Sequence, residues 1–390
     1  MQGVALPTIA QAFELSAGAA ITAQTAFMLA GVITLLPAGL WADRRGRWEV
    51  LVTGSLLYTL AAVLAAAAPT FPILVMARVL QGVGAALYNT SAVAAVTRAF
   101  PPGERGRALG VLSLAAGLGL VGGPVLSGLL VALSWRLIFV VTAPLALAAL
   151  ILFLRVVTRD QPASGAPPRI LRLLAVPNFR ASALAGLLHN AATMTALITL
   201  PFLLERGQGR SPSEVGIMVS IVFLLYTVTS PLAGAASDRV SNRRITALGA
   251  WLFGAGVLLA YLAPTGPALP AALVVAGIGL GVFDAPNNSL LMSSAPPGGL
   301  GGASSILALV RTLGFTAGAA AAAGLLDWRT GALQALGVPP AAAVSDAGGA
   351  VLLVAVALAL AAGLACLVLK RDPVPLPPAA RAEPRYSRGP

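Results

Sequence analysis

The stretch Gly39-Leu-Trp-Ala-Asp43-Arg44-Arg45-Gly46-Arg47 interrupts two long apolar blocks, at about 19–41 and 49–68. Blocks of about 20 apolar residues are long enough to cross a bilayer as helices. A polar turn this short forces its flanking helices to run back antiparallel. Outward from this hairpin the pattern repeats, with apolar blocks at about 71–97, 108–131, 135–156, 180–204, 213–236, 245–264, 268–292, 302–325 and 348–369. Composition agrees. Of 390 residues, 58% are hydrophobic and 10% charged, where a soluble domain carries about a quarter. Strand-like alternation is missing, which argues against a β-barrel. The expected fold class is therefore an all-α membrane protein.

The hairpin motif has a second copy. Gly39-x-x-x-Asp43-Arg44 returns as Gly234-x-x-x-Asp238-Arg239, and Gly82-x-Gly84 as Gly277-x-Gly279. Pro101-Pro102-Gly103 returns as Pro296-Pro297-Gly298, and Gly119-x-x-x-Gly123 as Gly314-x-x-x-Gly318. All four pairs share one offset of 195, which chance does not supply in a single chain. The expectation is two six-helix pseudo-repeats, twelve transmembrane helices in all. They divide as an N-terminal bundle (1–156), a Pro- and Arg-bearing cytoplasmic linker (157–179), a C-terminal bundle (180–370) and a disordered tail (371–390). Leu6-Pro7 matches Leu200-Pro201 at offset 194, so the first helix is expected to be incomplete, by about 14 residues upstream of Met1. A misplaced start codon is the simple explanation.

Net charge is +12, but the arginines cluster at block ends rather than on one face, which reads as topology and not as a nucleic-acid surface. Arg44, Arg45, Arg47, Arg98, Arg105, Arg107, Arg155, Arg180, Arg239, Arg243 and Arg244 fall on one side, together with the linker and the tail. Arg136, Arg206, Arg210 and Arg329 fall on the other. The richer side is expected to be cytoplasmic, in a multi-pass protein of the inner (plasma) membrane with a cytoplasmic C-terminus. No Gly-x-x-x-x-Gly-Lys-Ser/Thr signature and no nucleophile, base or metal constellation is present, so an ATP-driven pump, an enzyme, a cofactor and a bound metal are not expected.

These motifs together resemble the major facilitator superfamily, in particular its bacterial drug:proton antiporter branch, over nearly the whole chain. The 39–47 stretch resembles that superfamily's loop between helices 2 and 3. Arg78-Val-Leu-Gln81-Gly82-Val-Gly84 resembles its helix 4 motif. Gly119-Leu-Val-Gly-Gly123-Pro124-Val-Leu-Ser127-Gly128 resembles the helix 5 antiporter motif, with Ser127 where glycine is usual. Val4-Ala5-Leu6-Pro7 and Trp135-Arg136-x-Ile138-Phe139 resemble the end of helix 1 and the entry to helix 6. The resemblance implies alternating access by rocking of two halves. It also implies a gate at Gly39, Asp43, Arg44, Gly46, Arg47, Gly234, Asp238 and Arg239, and a hinge or seal at Gly119, Gly123, Pro124 and Gly128. The acidic residue that many relatives carry in helix 1 would precede Met1.

Individual residues carry the remaining expectations. Arg78 lies inside an apolar block and needs a partner, a watery cavity or a route to the interface; with its motif it points to proton coupling. Asp284 is the only carboxylate well inside an apolar block. It could carry the proton, bind a cationic substrate, or hydrogen-bond structurally. Arg311 is a candidate partner for Asp284 or for an anionic substrate. His189 titrates near neutral pH in water, but without a Cys, Asp or Glu cluster it makes a poor metal site and fits a core histidine equally well. Gln24, Tyr88, Asn89, His189, Phe283, Asn287 and Arg311 are the expected cavity residues, on polarity and position. The functional reading is a secondary transporter, expected to export small amphiphilic compounds in exchange for protons as a monomer. Its partners would be a small-molecule substrate, protons and the lipid bilayer. A transporter of a specific metabolite such as a sugar or amino acid, and a non-transporting paralogue, are the alternatives.

Overall fold

The computed structural model describes residues 2–99, 105–156, 173, 175–237, 241–294 and 300–368. These form twelve α-helices and no strand: α1 (Gln2–Ala12), α2 (Ala17–Arg45), α3 (Arg47–Ala67), α4 (Phe71–Ala99), α5 (Arg105–Leu133) and α6 (Arg136–Val156), then α7 (Pro177–Phe202), α8 (Pro212–Ser237), α9 (Asn242–Leu262), α10 (Ala268–Ser293), α11 (Leu300–Ala335) and α12 (Pro340–Leu367). A π-turn, Leu203–Gly207, extends α7. Eleven of these helices are long and apolar enough to cross a membrane. The exception is α1, with 11 residues where its repeat-related partner α7 has 26. Leucines such as Leu118, Leu152 and Leu232 turn outward, as a lipid-facing surface requires.

Two expected boundaries move. Helix α11 continues ten residues beyond the apolar block ending at 325, and α12 begins at Pro340 rather than near 348. Hydropathy marks the buried part of a membrane helix and not its end. The added turns carry Asp327, Arg329 and Asp346, and Arg329 Nε lies 2.6 Å from Asp346 Oδ1. Among the expected linker residues only Leu173 and 175–179 are described, the last three in α7; the 371–390 tail, Pro101–Gly103 and Pro296–Gly298 lie outside the described residues.

The repeat is built in the packing. A Cβ on Gly84 would lie 2.7 Å from Tyr58 N, and one on Gly279 2.7 Å from Leu252 C and against Phe253. On Gly54 it would meet Tyr88 N at 2.7 Å, and on Gly249 Phe283 Cα at 2.8 Å. On Gly82 it would strike Phe27 O, and on Gly277 Val222 O. In every pair both the glycine and its neighbour are displaced by 195, so α2–α4 and α8–α10 are the same three-helix stack made twice. With no Cβ, each glycine lets one helix lie on the backbone of the next.

The halves join at one end through two seams. At one, the Asp327 carboxylate caps the start of α2, accepting from Gly18 N–H at 2.6 Å and from Ser16 Oγ–H at 2.6 Å, while Ser16 Oγ accepts from Ala19 N–H at 3.1 Å. A carboxylate satisfies the orphaned amides of a helix N-terminus and complements its dipole. At the other, Gly128 of α5 abuts Pro212 and Ser213 of α8, and Gly216 abuts Pro124. The contacts Gly18–Ala323 and Ser213–Gly128 are again related by 195. Arg206 Nη2 adds a bond to Pro7 O at 3.2 Å. Further along, a Cβ on Gly39, Gly119 or Gly122 would meet nothing within 4 Å, while one on Gly117 would still lie 3.1 Å from Thr227 Cγ2.

At the gate glycines no tight contact is made, Gly39 meeting nothing within 4 Å and Gly234 reaching only Ala285 Cβ at 3.6 Å. Gly46 does make the expected tight turn, at φ 95° with its N–H on Ala42 O at 3.1 Å.

The seam gives a direct test. Gly18→Ala would place a methyl 2.6 Å from Ala323 O. It is expected to destabilise the protein by about 1–3 kcal/mol in thermal unfolding and to lengthen the distance between spin labels at Leu133→Cys and Leu336→Cys, both strongly exposed near that end. Unchanged stability and distance would show that the seam has slack.

Candidate transport site

Between the halves lies a chain of voids. One of about 350 Å³ is lined from both halves by Gln24, Tyr58, Pro124, Met194 and Phe223, among others. It shares Tyr58 and Thr142 with a second of about 600 Å³ inside the N-terminal half, which includes Tyr88 and Asn89. The second shares Phe27, Ala85 and Asn89 with a third of about 470 Å³, where α2 and α4 face Ser304, Arg311, Thr312 and Phe315 of α11. The walls are mostly aromatic and aliphatic with a few hydroxyls and amides, the usual make-up of a small-molecule site. A larger cleft of about 970 Å³ lies outside the seams, lined by Glu14, Glu205, Arg206, Arg210 and Asp327. It is a vestibule on the far side of the closed end from the central voids.

Two charged centres flank the central voids. In the C-terminal half, Arg311 Nη2 lies 3.0 and 2.9 Å from the two oxygens of Asp284, and the Tyr226 hydroxyl donates to Asp284 Oδ2 at 2.9 Å. The Asp284 side chain is 16% exposed and that of Arg311 39%; Arg311 fronts the void with Asp284 behind it. An ion pair whose remaining lone pairs are also engaged is the arrangement that can withstand desolvation. Helix geometry alone brings these residues together, since α8, α10 and α11 are separate in sequence.

In the N-terminal half, Arg78 is 2% exposed. Its Nη1 donates to Gln81 Oε1 at 2.8 Å, its Nη2 to Gln24 Oε1 at 2.9 Å, and its guanidinium lies 4.2 Å over the Phe27 ring. The interface route is excluded, because the side chain turns into the bundle. Two amide oxygens and a ring face hold the charge.

The expected cavity residues divide. Gln24, Tyr88, Asn89 and Arg311 line the voids. Contrary to expectation, His189, Phe283 and Asn287 do not: all three are buried at 3% exposure or less, between helices of the C-terminal half. The His189 ring stacks on Phe283 at 3.7 Å and meets Phe253 edge-on at 5.2 Å. Aromatic packing, not polarity, sets its place, and neither ring nitrogen has a hydrogen-bond partner. Asn287 Oδ1 is likewise without one.

The antiporter motif splits too. Gly128 and Pro124 sit in the α5–α8 seam and Gly123 is buried, while Gly119 faces open space. At the gate motif, Arg44 is exposed and Arg45 makes an exposed 3.4 Å pair with Glu49, worth little in water. The side chains of Asp43 and Arg47, and the whole of Asp238 and Arg239, lie outside the described residues.

Sequence reading missed three residues. Tyr226 looks like one more aromatic in an apolar block. Asp327 falls past the end of one. Glu205 sits in the π-turn, part-buried, with Oε1 shielded from water and unpartnered; a polar neighbourhood hid it.

The comparisons with known proteins agree with this architecture. The family model described as Major Facilitator Superfamily matches residues 1–181 and 182–388. The chain is 26% identical over 373 aligned positions to the riboflavin transporter RibZ of Clostridioides difficile (strain 630), covering 81% of this chain and 82% of that one. It is 27% identical over 392 aligned positions to the multidrug resistance protein B homolog of Mycobacterium tuberculosis (strain H37Rv), covering 84% and 72%. Its fold matches the inward-facing, occupied structure of a bacterial homologue of the human lysosomal transporter Spinster, with a TM-score of 0.79, 18% identity and coverage of 95% and 92%. Two repeated six-helix halves, joined at one end around a central void, and a family match to each half make this chain a multi-pass membrane transporter of the Major Facilitator Superfamily.

Proposed function

We propose that this transporter exports small amphiphilic compounds in exchange for protons, by alternating access. The observation that carries the reading is the Asp284–Arg311 pair fronting a void that both halves line and that two seams close at one end. A carboxylate in this position holds Arg311 while ionised and releases it when protonated. The proton therefore changes the charge and hydrogen bonding of the void wall, and a substrate occupying that wall competes for the same groups. Aromatic walls suit flat, partly apolar compounds. A relative named for multidrug resistance supports efflux. A relative named as a riboflavin transporter supports the second reading, carriage of one specific metabolite.

In this reading the protein acts as a monomer in the inner membrane with its C-terminus in the cytoplasm, and the Arg-rich loops hold that orientation. The closed end then faces outward and the substrate enters from the cytoplasm. Asp43 with Arg44 and Arg47, and Asp238 with Arg239, latch the opposite end in the other conformer. Gly39 and Gly234 come into contact only there, and the α5 face of Gly119, Gly123, Pro124 and Gly128 serves as hinge and seal. Arg78, held by Gln24 and Gln81, places a positive charge behind the void wall and takes part in proton coupling by discouraging a second cation from entering with the substrate.

The test is a toxic-compound susceptibility panel in an efflux-deficient bacterial host. Resistance is expected from the wild-type chain and is expected to fall to the empty-vector level for Asp284→Asn at equal membrane expression. Saturable carriage of one solute with no change in resistance would select the metabolite reading. Gln24→Leu removes one of the two amide acceptors of Arg78. It is expected to cost about 1.5–3 kcal/mol in thermal unfolding, and a neutral result would mean that water replaces the lost oxygen.

A further inference from the structure

Tyr226 belongs to two structures at once. Its hydroxyl donates to Asp284 Oδ2 at 2.9 Å, and its own helix, α8, begins with the residues that close the α5–α8 seam. Pro212 and Ser213 abut Gly128 there, and Gly216 abuts Pro124. Thr227, next in the chain, faces α5 as well, its Cγ2 3.1 Å from where a Cβ of Gly117 would stand. Tyr226 therefore sits where α8 turns from the carboxylate on one side to the opposite half on the other.

Helix α8 is also bound to α10 with little freedom. A Cβ on Gly281, three residues before Asp284, would lie 3.0 Å from Tyr226 O and 2.9 Å from Ser230 N, and one on Gly277 2.6 Å from Val222 O. Backbones this close move together or not at all. The side-chain bond from Tyr226 is the adjustable part of an otherwise rigid contact.

We infer that Tyr226 is a positioning residue that links the protonation of Asp284 to the opening of the α5–α8 seam. The inference rests on the proposed role of Asp284. When the carboxylate is ionised it accepts from Tyr226 and from Arg311, and α8, α10 and α11 are tied at one point. When it takes a proton, the acceptor that Tyr226 uses is weakened and Arg311 is released. The α8–α10 pair loses its tie to α11 beside the void, and the leading turn of α8 at Pro212–Gly216 is the part that bears on the other half.

The groups facing Asp284 are few. Arg311 comes from α11 and Tyr226 from α8. His189 of α7 faces the neighbouring Phe283 ring instead, and α9 brings no titratable side chain between Thr246 and Ala260. Across the void, α4 presents the uncharged Asn89. Beside the void, one acid is thus the source of a pH response and one hydroxyl its modulator; Glu205, Glu214 and Asp327 lie at the closed end, and the Asp284→Asn variant separates their titration from that of Asp284.

The experiment reads the seam without a substrate. The full chain in a Cys366→Ala background, which leaves no native cysteine, carries spin labels at Leu133→Cys and Leu336→Cys in lipid nanodiscs, and their distance distribution is followed against pH. The wild type is expected to change its distribution with one midpoint, and Asp284→Asn to show no change. A hydroxyl donor favours the ionised carboxylate, so Tyr226→Phe is expected to raise the midpoint by about one pH unit, and Tyr226→Gln, which keeps a donor, to move it less. A Tyr226→Phe midpoint at the wild-type value, or equal shifts in both variants, overturns the inference while leaving Asp284 as the proton group. An Asp284→Asn variant that titrates like the wild type removes the proposed role of the carboxylate, and the inference falls with it.

Discussion

The two halves of this transporter touch at glycines where neither has room for a side chain, beside an apolar cluster that includes Leu6, Ile21, Ile198, Phe202 and Leu326. At Gly128 a methyl would stand 2.5 Å from the Pro212 carbonyl oxygen, and at Gly18 it would run into the Asp327 carboxylate. Contact at that range is short and steep, so it is either made fully or lost fully. That property suits an end that must open and close as a unit. Among the described residues the Asp327 cap on α2, the Arg206 bond to Pro7 and the Ser213 bond to Gly128 O then need only fix register on surfaces already matched in shape.

The same device, repeated 195 residues on, builds each half. Gly54, Gly82 and Gly84 stack α2, α3 and α4 as Gly249, Gly277 and Gly279 stack α8, α9 and α10. In a bilayer no hydrophobic drive separates helix from lipid, so close backbone packing and a few internal hydrogen bonds carry the association. The halves then diverge in their charges. The N-terminal one holds an arginine with amide oxygens, and the C-terminal one pairs an arginine with an acid and a tyrosine. An arginine on amides has no partner that a proton can neutralise. An arginine on a carboxylate shares a group that a proton can neutralise. A scaffold made of two similar parts thus presents a constant wall and a switchable one to the same void.

Several expectations failed for one reason. His189, Asn287 and Phe283 were placed in the cavity on polarity, yet packing set them inside the C-terminal half, with His189 stacked on Phe283. Of the gate and hinge glycines, Gly39 and Gly119 face open space and Gly234 reaches only Ala285 Cβ at 3.6 Å. Residue type says that a helix face is small or polar. Which face another helix occupies depends on how whole bundles are oriented, and a transporter has more than one such orientation.

By itself the sequence determined that the chain crosses a membrane many times, that it is a doubled six-helix unit, and which family it joins. Apolar length must match bilayer thickness, and repeated glycines leave a fixed offset in the numbering. It also marked Arg78 and Asp284, because a charge in an apolar block always needs an account. Only the tertiary structure decided their partners. Gln24 lies 54 residues from Arg78, Tyr226 58 from Asp284 and Asp327 309 from Gly18. Helix ends beyond the bilayer, such as the last turns of α11, leave no hydropathy signal, and a hydrogen bond between distant helices leaves no periodicity. Such contacts come into being only when the bundles close on one another.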